Sequence, residues 1–141
     1  MHDLARVRGA FFDRLFKPIG LTRTQVVLLG TLANFEYLVN QQQLAVAMRL
    51  TKVTIAAMLD VLERNGCVKR ETGKKDRREK LIRVTPAGLE ALEKAREIAR
   101  EADKAILATL DKDEVEVAER VLRKAAKAIT DAMRDETSVP S

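Results

Sequence analysis

Hydrophobic residues recur at helical spacing along most of the chain, and the clearest instance lies between residues 51 and 65. Hydrophobic positions in this segment follow the spacing i, i+3, i+4 and i+7, which places them on one face of an α-helix. Thr51 can cap the N-terminus of that helix, and Gly66 stands where a glycine commonly ends one. The pattern therefore predicts a helix with one buried face. The predicted buried positions are Ile55, Met58, Leu59 and Leu62, and the predicted outward positions are Val53, Ala57, Asp60 and Arg64.

Capping residues mark the start of further helices. In several cases an Asn, Asp or Thr is followed three residues later by Gln or Glu, so that each side chain can bond the other residue's backbone N–H group. In another case Pro86 follows Thr85 at the first helical position. The sequence therefore predicts a mostly helical protein. The capping residues are Thr22, Asn40, Thr85 and Asp111, and the predicted helices span residues 4–16, 22–35, 41–48, 51–65, 86–109 and 112–134.

The last two predicted helices carry hydrophobic and small residues at nearly heptad spacing. Such a stripe is typical of helices that pack against each other, either within one chain or between two chains. Residues 136–141 follow the last predicted helix and are expected to form a flexible tail. The stripe positions are Ala95, Ala99, Ala102 and Ile106 in the first helix, and Val115, Leu122, Ala125 and Ile129 in the second.

Two short segments, residues 67–72 and 80–85, flank a polar turn that begins at Gly73. Short extended segments around a glycine-led turn predict a β-hairpin. The order of a short helix, a tight turn, a second helix and a hairpin is that of a winged helix-turn-helix, in which the hairpin is the wing. The predicted fold class is therefore mainly α with a small β-wing, and the winged helix-turn-helix lobe covers residues 22–85.

Positive charge is concentrated at the predicted wing. The chain has a formal net charge of +5, yet residues 64–83 contain nine Lys or Arg and only three acidic residues, which is a local net charge of +6. A basic element on an otherwise neutral protein indicates a polyanionic partner. The second helix of a helix-turn-helix can lie in the major groove of DNA, and a basic wing can reach the flanking backbone or minor groove. We therefore expect double-stranded DNA as the partner.

The composition excludes most enzyme chemistry. The chain of 141 residues has one histidine, His2, one cysteine, Cys67, and serine only at Ser138 and Ser141. A Ser–His–Asp triad cannot be assembled from these residues, and one His with one Cys does not make a zinc site. The sequence also has no Gly-rich phosphate-binding loop. We expect a protein that is not an enzyme and that uses no cofactor or metal.

The same counts bear on the cellular compartment. A single cysteine cannot form an intrachain disulfide, which fits a reducing cytoplasm. No hydrophobic run approaches the roughly 18–20 residues that a membrane span requires, so we expect a cytoplasmic protein without a membrane partner. Cys67 has two interpretations that stay open: a buried structural thiol, or a redox-active thiol whose pKa is lowered by Arg64 and Lys69.

Stretches between about residues 21 and 92 resemble the MarR family of winged-helix transcriptional regulators. LTRTQVVLL, from residue 21, is similar to the start of the family's second helix. QLAVAMRLTKVTIAAMLDVLERNGCVKRE, from residue 43, is similar to its helix-turn-helix. DRREKLIRVTPAGLEAL, from residue 76, is similar to its wing and to the start of its long dimer helix. The most specific part is Asp76-Arg77-Arg78, followed by Val84-Thr85 and Gly88.

The resemblance implies a single domain over residues 1–135 that forms a homodimer through its terminal helices, about 4–16 and 86–134. It implies a repressor that binds a pseudo-palindromic operator and is released by a small organic effector, often phenolic or otherwise aromatic. In the family, an effector pocket lies between the DNA-binding lobe and the dimer helices. The aromatic candidates for that pocket, for which a place in the core or in the dimer contact is the favoured alternative, are Phe12, Phe16, Phe35 and Tyr37.

The expected DNA contacts follow from the helix-turn-helix and from the resemblance. Lys52 and Thr54 lie in the first turn of the second helix and can reach phosphates or base edges. Val53 and Ala57 are expected to touch thymine methyl groups. Arg78 matches the family's minor-groove arginine, and the aspartate two residues before it is placed to hold it. The full set of expected contacts is Gln41, Gln42, Thr51, Lys52, Val53, Thr54, Ala57, Arg64, Lys74, Lys75, Asp76, Arg77 and Arg78.

Two other functions stay open. Outward hydrophobic residues on the second helix would suit a protein-interaction module whose basic wing meets an acidic protein. A nonspecific nucleic-acid binder would need the same positive charge but no sequence preference. Salt separates the first alternative from DNA binding, because contacts to many phosphates weaken steeply as salt rises. The hydrophobic residues in question are Val53, Ala56, Ala57 and Val61.

Overall fold

The computed structural model describes residues 2–137, which form six α-helices and a three-stranded antiparallel sheet. The predicted fold class, mainly α with a small β-wing, is confirmed. The helices are α1 (His2–Phe16), α2 (Arg23–Asn34), α3 (Gln41–Met48), α4 (Lys52–Arg64), α5 (Pro86–Leu107) and α6 (Lys112–Thr137), a 3₁₀ turn spans Lys17–Ile19, and the strands are β1 (Val39–Asn40), β2 (Val68–Thr72) and β3 (Lys80–Val84).

The helix boundaries agree with the predicted ones to within a few residues, and the predicted capping side chains are in place. Thr22 and Gln25 exchange hydrogen bonds across the first turn of α2, and Asn40 and Gln43 do the same at α3. Reciprocal capping of this kind satisfies backbone N–H groups that have no partner inside the helix. The last helix, α6, continues past its predicted end to Thr137. The rest of the predicted tail, residues 138–141, lies outside the described residues.

The sheet has the order β1–β3–β2, so the predicted hairpin gains a third strand. β1 is only two residues long, and its Val39 lies opposite Ile82 of β3. The hydrophobic pattern did not predict β1, because two residues are too few to show an alternation of period two. The strand ends where α3 begins, so the wing is hydrogen-bonded directly to the chain that leads into the helix-turn-helix.

The described residues divide into two compact units, one up to Arg100 and the other from Glu101. The first unit holds the buried core, in which leucines of α2, α3 and α4 pack over the inner face of the sheet. Burying one such side chain contributes about 1.5–3 kcal/mol of transfer free energy. Met58, predicted to be buried, is only partly covered. The fully buried side chains include Leu28, Leu29, Val39, Leu44, Ile55, Leu59 and Leu62.

Hydrophobic side chains on α1 and α6 are exposed in the single chain. Leu4 and Val7 of α1 are more than half exposed, and so are Leu122 and Ile129 of α6. Within the second unit, Val115 and Ala125 of the predicted stripe are partly covered. Over residues 2–137, no helix combines the length and the hydrophobicity that crossing a bilayer requires.

Candidate nucleic-acid interface

The helix-turn-helix consists of α3, the turn at residues 49–51, and α4. Arg49 adopts a left-handed conformation, with φ of 55° and ψ of 42°, at the C-terminal end of α3. Two backbone hydrogen bonds close this end: the N–H of Arg49 donates to Val46 at 3.2 Å, and that of Leu50 donates to Ala45 at 3.0 Å. The turn thus ends α3 without a glycine, and the chain then enters α4.

Side chains hold the N-terminal ends of α3 and α4 together. Nε2 of Gln41 donates a 2.9 Å hydrogen bond to the carbonyl oxygen of Lys52. At the start of α4, Oγ1 of Thr51 accepts a hydrogen bond from the N–H of Thr54, and the two hydroxyl groups lie 2.9 Å apart. Gln41, expected as a phosphate contact, therefore uses its side-chain N–H within the protein, whereas Gln42 is exposed.

One face of α4 is covered by the core, and the opposite face is open. Val53 is 79% exposed, and Ala57 and Asp60 follow it along the same exposed face. Arg64, at the end of this row, is also exposed, and its Nε donates a weak 3.4 Å hydrogen bond to the carbonyl oxygen of Asp60. Ala56 is partly covered. The side chains of α4 that were expected to contact DNA are all exposed: Lys52, Val53, Thr54, Ala57 and Arg64.

The wing turn between β2 and β3 is closed by its own backbone. The N–H of Gly73 donates to the carbonyl oxygen of Glu79 at 2.8 Å, and the N–H of Glu79 donates to that of Asp76 at 3.1 Å. A Cβ atom at Gly73 would lie 2.8 Å from the Asp76 carbonyl oxygen, which is why this position suits glycine. Oδ1 of Asp76 accepts a 2.9 Å hydrogen bond from the backbone N–H of Arg78, so Asp76 holds the backbone of Arg78.

The basic residues of the wing fall into two groups. Arg83 is bound by Glu71, with 2.8 Å between Nε and Oε1, and this hydrogen bond raises the pKa of Arg83 and lowers that of Glu71. Lys80 donates to Thr72. The second group lies in the turn, is exposed, and forms no ion pair with a carboxylate among residues 2–137, although the charge of Lys74 helps to lower the pKa of Glu71. We call these residues the wing-turn cations: Lys74, Lys75, Arg77 and Arg78.

Two contacts fix the wing to the helix-turn-helix, and neither was predicted. Nδ2 of Asn40, the cap of α3, donates a 2.8 Å hydrogen bond to Oε1 of Glu79 at the base of the wing. Arg70 of β2 forms ion pairs with Asp60 and Glu63 of α4. Both contacts join residues of different elements, so the periodicity of a single helix or strand does not signal them.

The four aromatic candidates form two separate ring pairs. Phe12 and Phe16 are buried on α1 with ring centroids 5.6 Å apart, whereas Tyr37 is 64% exposed and pairs with Phe35 at 5.9 Å. A shallow groove of about 160 Å³ lies beside the first pair. The guanidinium carbon of Arg8 lies 4.6 Å from the ring centroid of Phe12. Besides the two phenylalanines, the groove is lined by Arg8, Arg23, Val26, Val27 and Ala99.

Cys67 is a covered thiol at the end of α4. It is 6% exposed, and burial raises its pKa. A raised pKa favours the protonated thiol, which is the unreactive form. Of the two interpretations left open by the sequence, this environment supports the structural one. Across residues 2–137, no group of three or more His, Cys, Asp or Glu side chains is arranged to hold a metal ion.

The comparisons with known proteins agree with this geometry. The model of the MarR family matches residues 19–79. Apo MarR from E. coli is similar over 88% of this chain and 92% of its own, with 21% identity and a TM-score of 0.76. The S. aureus MepR–DNA complex is similar over 90% and 93%, with 23% identity and a TM-score of 0.76. A further MarR family transcription regulator is similar over 95% of this chain and 88% of its own, with 19% identity and a TM-score of 0.83. The resemblance to the MarR family that the sequence indicated is thus confirmed over residues 19–79, and the solved structures share the fold.

Proposed function

We propose that the protein is a sequence-specific DNA-binding regulator of transcription. The observation that carries this proposal is that the lobe exposes both the four wing-turn cations and one face of α4, and that the wing strand β2 packs against α4. Cations without carboxylate partners are available to phosphates, and an open helix face is available to base edges. The S. aureus MepR complex, which contains DNA, has a similar fold and supports the same use of this surface.

In this proposal each part of the lobe has a distinct role. Helix α4 lies in the major groove, where Val53 and Ala57 meet thymine methyl groups and Lys52 meets phosphate or base edges. Arg78 enters the minor groove, where negative potential is concentrated, and Asp76 shapes the turn that presents it. The remaining wing-turn cations bind phosphates without regard to sequence.

The regulator acts as a homodimer on a pseudo-palindromic operator. Two α4 helices must lie about 34 Å apart to enter successive major grooves, which requires a second copy. Exposed hydrophobic residues on α1 and on α6 offer apolar area to that copy, and burying such area stabilises association. Helices 4–16 and 86–134 are thus the dimerisation part of one domain over residues 1–135.

We further propose that the regulator is a repressor released by a small organic molecule. The groove beside Phe12 and Phe16 offers two aromatic rings together with the cations Arg8 and Arg23. Such a combination suits an aromatic or phenolic effector. Its walls come from α2 of the lobe and from α1 and α5 of the dimerisation part, so a bound molecule would press on both.

The experiment that tests DNA binding is fluorescence anisotropy with the duplex upstream of the protein's own gene, over a salt series and with excess unrelated duplex. The test variant is Arg77→Ala/Arg78→Ala. The matched control is Lys104→Ala/Lys112→Ala, which removes the same charge outside the lobe. We expect the wing variant to bind more weakly and to show a less steep dependence of log K on log salt, with a slope smaller in magnitude by about 2. The control should bind normally.

The outcomes separate the competing functions. Equal binding of specific and unrelated duplex would support a nonspecific nucleic-acid binder. Binding to no duplex would contradict the proposal and favour a protein partner for the exposed apolar residues Val46 and Val53, which are 68% and 79% exposed. Partner binding through such residues would depend little on salt, since it rests on apolar burial.

A further inference from the structure

Arg70, on the wing strand β2, binds two carboxylates of α4. Its Nη2 donates a 2.8 Å hydrogen bond to Oδ1 of Asp60, and its Nη1 donates a 2.6 Å hydrogen bond to Oε2 of Glu63. The backbone N–H of Arg70 also donates to Oε1 of Glu63 at 3.4 Å. Because the guanidinium group is planar and rigid, its fork holds the two carboxylates in one arrangement.

The two carboxylates differ in how many of their oxygens accept a hydrogen bond. Both oxygens of Glu63 accept hydrogen bonds from Arg70. Asp60 uses only Oδ1, and within the described part of the chain no donor contacts its Oδ2. The side chain of Asp60 is 64% exposed, and it follows Val53 and Ala57 along the open face of α4. A fixed hydrogen-bond acceptor therefore points to the solvent from the surface proposed to face DNA.

A carboxylate on such a surface requires a counterion, since phosphates would otherwise repel it. Arg70 provides one. Burial acts to lower the pKa of Arg70, but its hydrogen bonds with Asp60 and Glu63 outweigh that effect and raise it, so the guanidinium stays charged. The side chain of Arg70 is only 23% exposed, so it is poorly placed to bind a phosphate itself.

We propose that Asp60 recognises a cytosine in the major groove, an inference that rests on the proposed function. Arg70 is the residue that positions Asp60 and neutralises its charge. Cytosine presents its N4 amino group as a donor, and Oδ2 of Asp60 accepts from it. Guanine and thymine present acceptors that repel a carboxylate. Adenine places the acceptor N7 beside its amino group, so it also fits a carboxylate less well than cytosine does.

The experiment is selection of bound duplexes from a randomised pool by the full-length protein, followed by affinity measurements on single-base variants of the selected site. For the wild type we expect a preference of about tenfold for cytosine at one position of each half-site. Asp60→Asn should lose this preference or move it towards adenine, because an amide can bind both N6 and N7 of adenine. The matched control is Glu63→Gln, which removes one charge from the same cluster and should keep the preference.

A second pair of variants tests Arg70. Arg70→Met should weaken binding to all duplexes, while the slope of log K against log salt stays unchanged because no phosphate contact is lost. Adding Asp60→Asn to Arg70→Met should recover much of the lost affinity, since the exposed charge that needed neutralising is gone. A purely structural loss, such as a displaced wing, would not be recovered by this second change.

The results separate this inference from the proposed function. If the wild type selects no sequence, sequence-specific regulation itself is contradicted. If the wild type selects a sequence and Asp60→Asn selects the same one with equal discrimination, only the role of Asp60 is overturned. If Asp60→Asn fails to improve binding by Arg70→Met, or if the salt slope falls by about 1 in Arg70→Met, then Arg70 is not the counterion of Asp60.

Discussion

Oγ1 of Thr85 donates a 2.5 Å hydrogen bond to the carbonyl oxygen of Gly66, and so joins the start of α5 to a residue two positions beyond the end of α4. The same hydroxyl oxygen accepts a 3.0 Å hydrogen bond from the N–H of Gly88, and the N–H of Thr85 donates to the carbonyl oxygen of Cys67. The predicted helix cap Thr85 therefore also links the end of α4 to the long helix α5.

Replacement of Thr85 by Val should destabilise the protein by about 1–3 kcal/mol, because it removes the hydroxyl but keeps the shape of the side chain and leaves a carbonyl oxygen and an N–H without their partners. The measurement is urea unfolding. Thr85→Ser, which keeps the hydroxyl, is the control and should lose much less. Equal losses in the two variants would show that the methyl group, rather than the hydrogen bonds, matters at this position.

Gly88 lies where α5 passes closest to the backbone of Cys67. A Cβ atom at this position would overlap the carbonyl oxygen of Cys67 and lie 2.9 Å from a methyl carbon of Val84. Backbone atoms cannot move aside cheaply, so Gly88→Ala should cost about 1–3 kcal/mol of unfolding free energy. The control is Gly9→Ala in α1, where no atom lies within 4 Å, and it should stabilise the protein by about 0.5–1 kcal/mol. Thermal unfolding of both variants measures the contrast.

The ion pair of Glu71 and Arg83 should make stability depend on pH. Its hydrogen bond lowers the pKa of Glu71 below the ordinary value of 4.5. The stabilisation is therefore present above that ordinary value, and it is lost as the pH falls through the lowered pKa of the folded protein. We expect Glu71→Gln to have a lower urea midpoint than the wild type at pH 7, and we expect this difference to shrink as the pH is lowered below the ordinary pKa of Glu71. A difference that does not shrink would mean that the ion pair is not its cause.

Cys67 should react slowly with a thiol reagent in the folded protein. Its side chain is 6% exposed and burial raises its pKa, so both access and the thiolate fraction are low. The measurement is the rate of reaction with Ellman's reagent at pH 7, in buffer and in denaturing urea. We expect the rate in buffer to be at least about tenfold lower. Equal rates would contradict the buried, structural role and favour the redox interpretation.

Local sequence determined most of the elements of this protein. Helix caps such as Thr22 with Gln25, the buried face containing Leu59, and the glycine at the wing turn depend on neighbours within a few residues. Chemistry at that spacing can be recognised without knowing the fold, because the helix itself brings residues three or four apart together. The concentration of Lys and Arg around the turn is likewise visible in the sequence, and the expectation of a nucleic-acid partner was drawn from it.

Tertiary structure alone decided which of these residues form ion pairs or hydrogen bonds within the protein and which do not. Of the basic residues at the wing, Arg70 and Arg83 are bound by carboxylates, whereas the wing-turn cations are not. The two-residue strand β1 exists only because β3 offers it a partner, and Gln41 is committed to the start of α4. These contacts join residues of different elements, from seven positions apart for Glu63 and Arg70 to more than 40 for β1 and β3. Their approach is set by packing of the whole core rather than by any local periodicity.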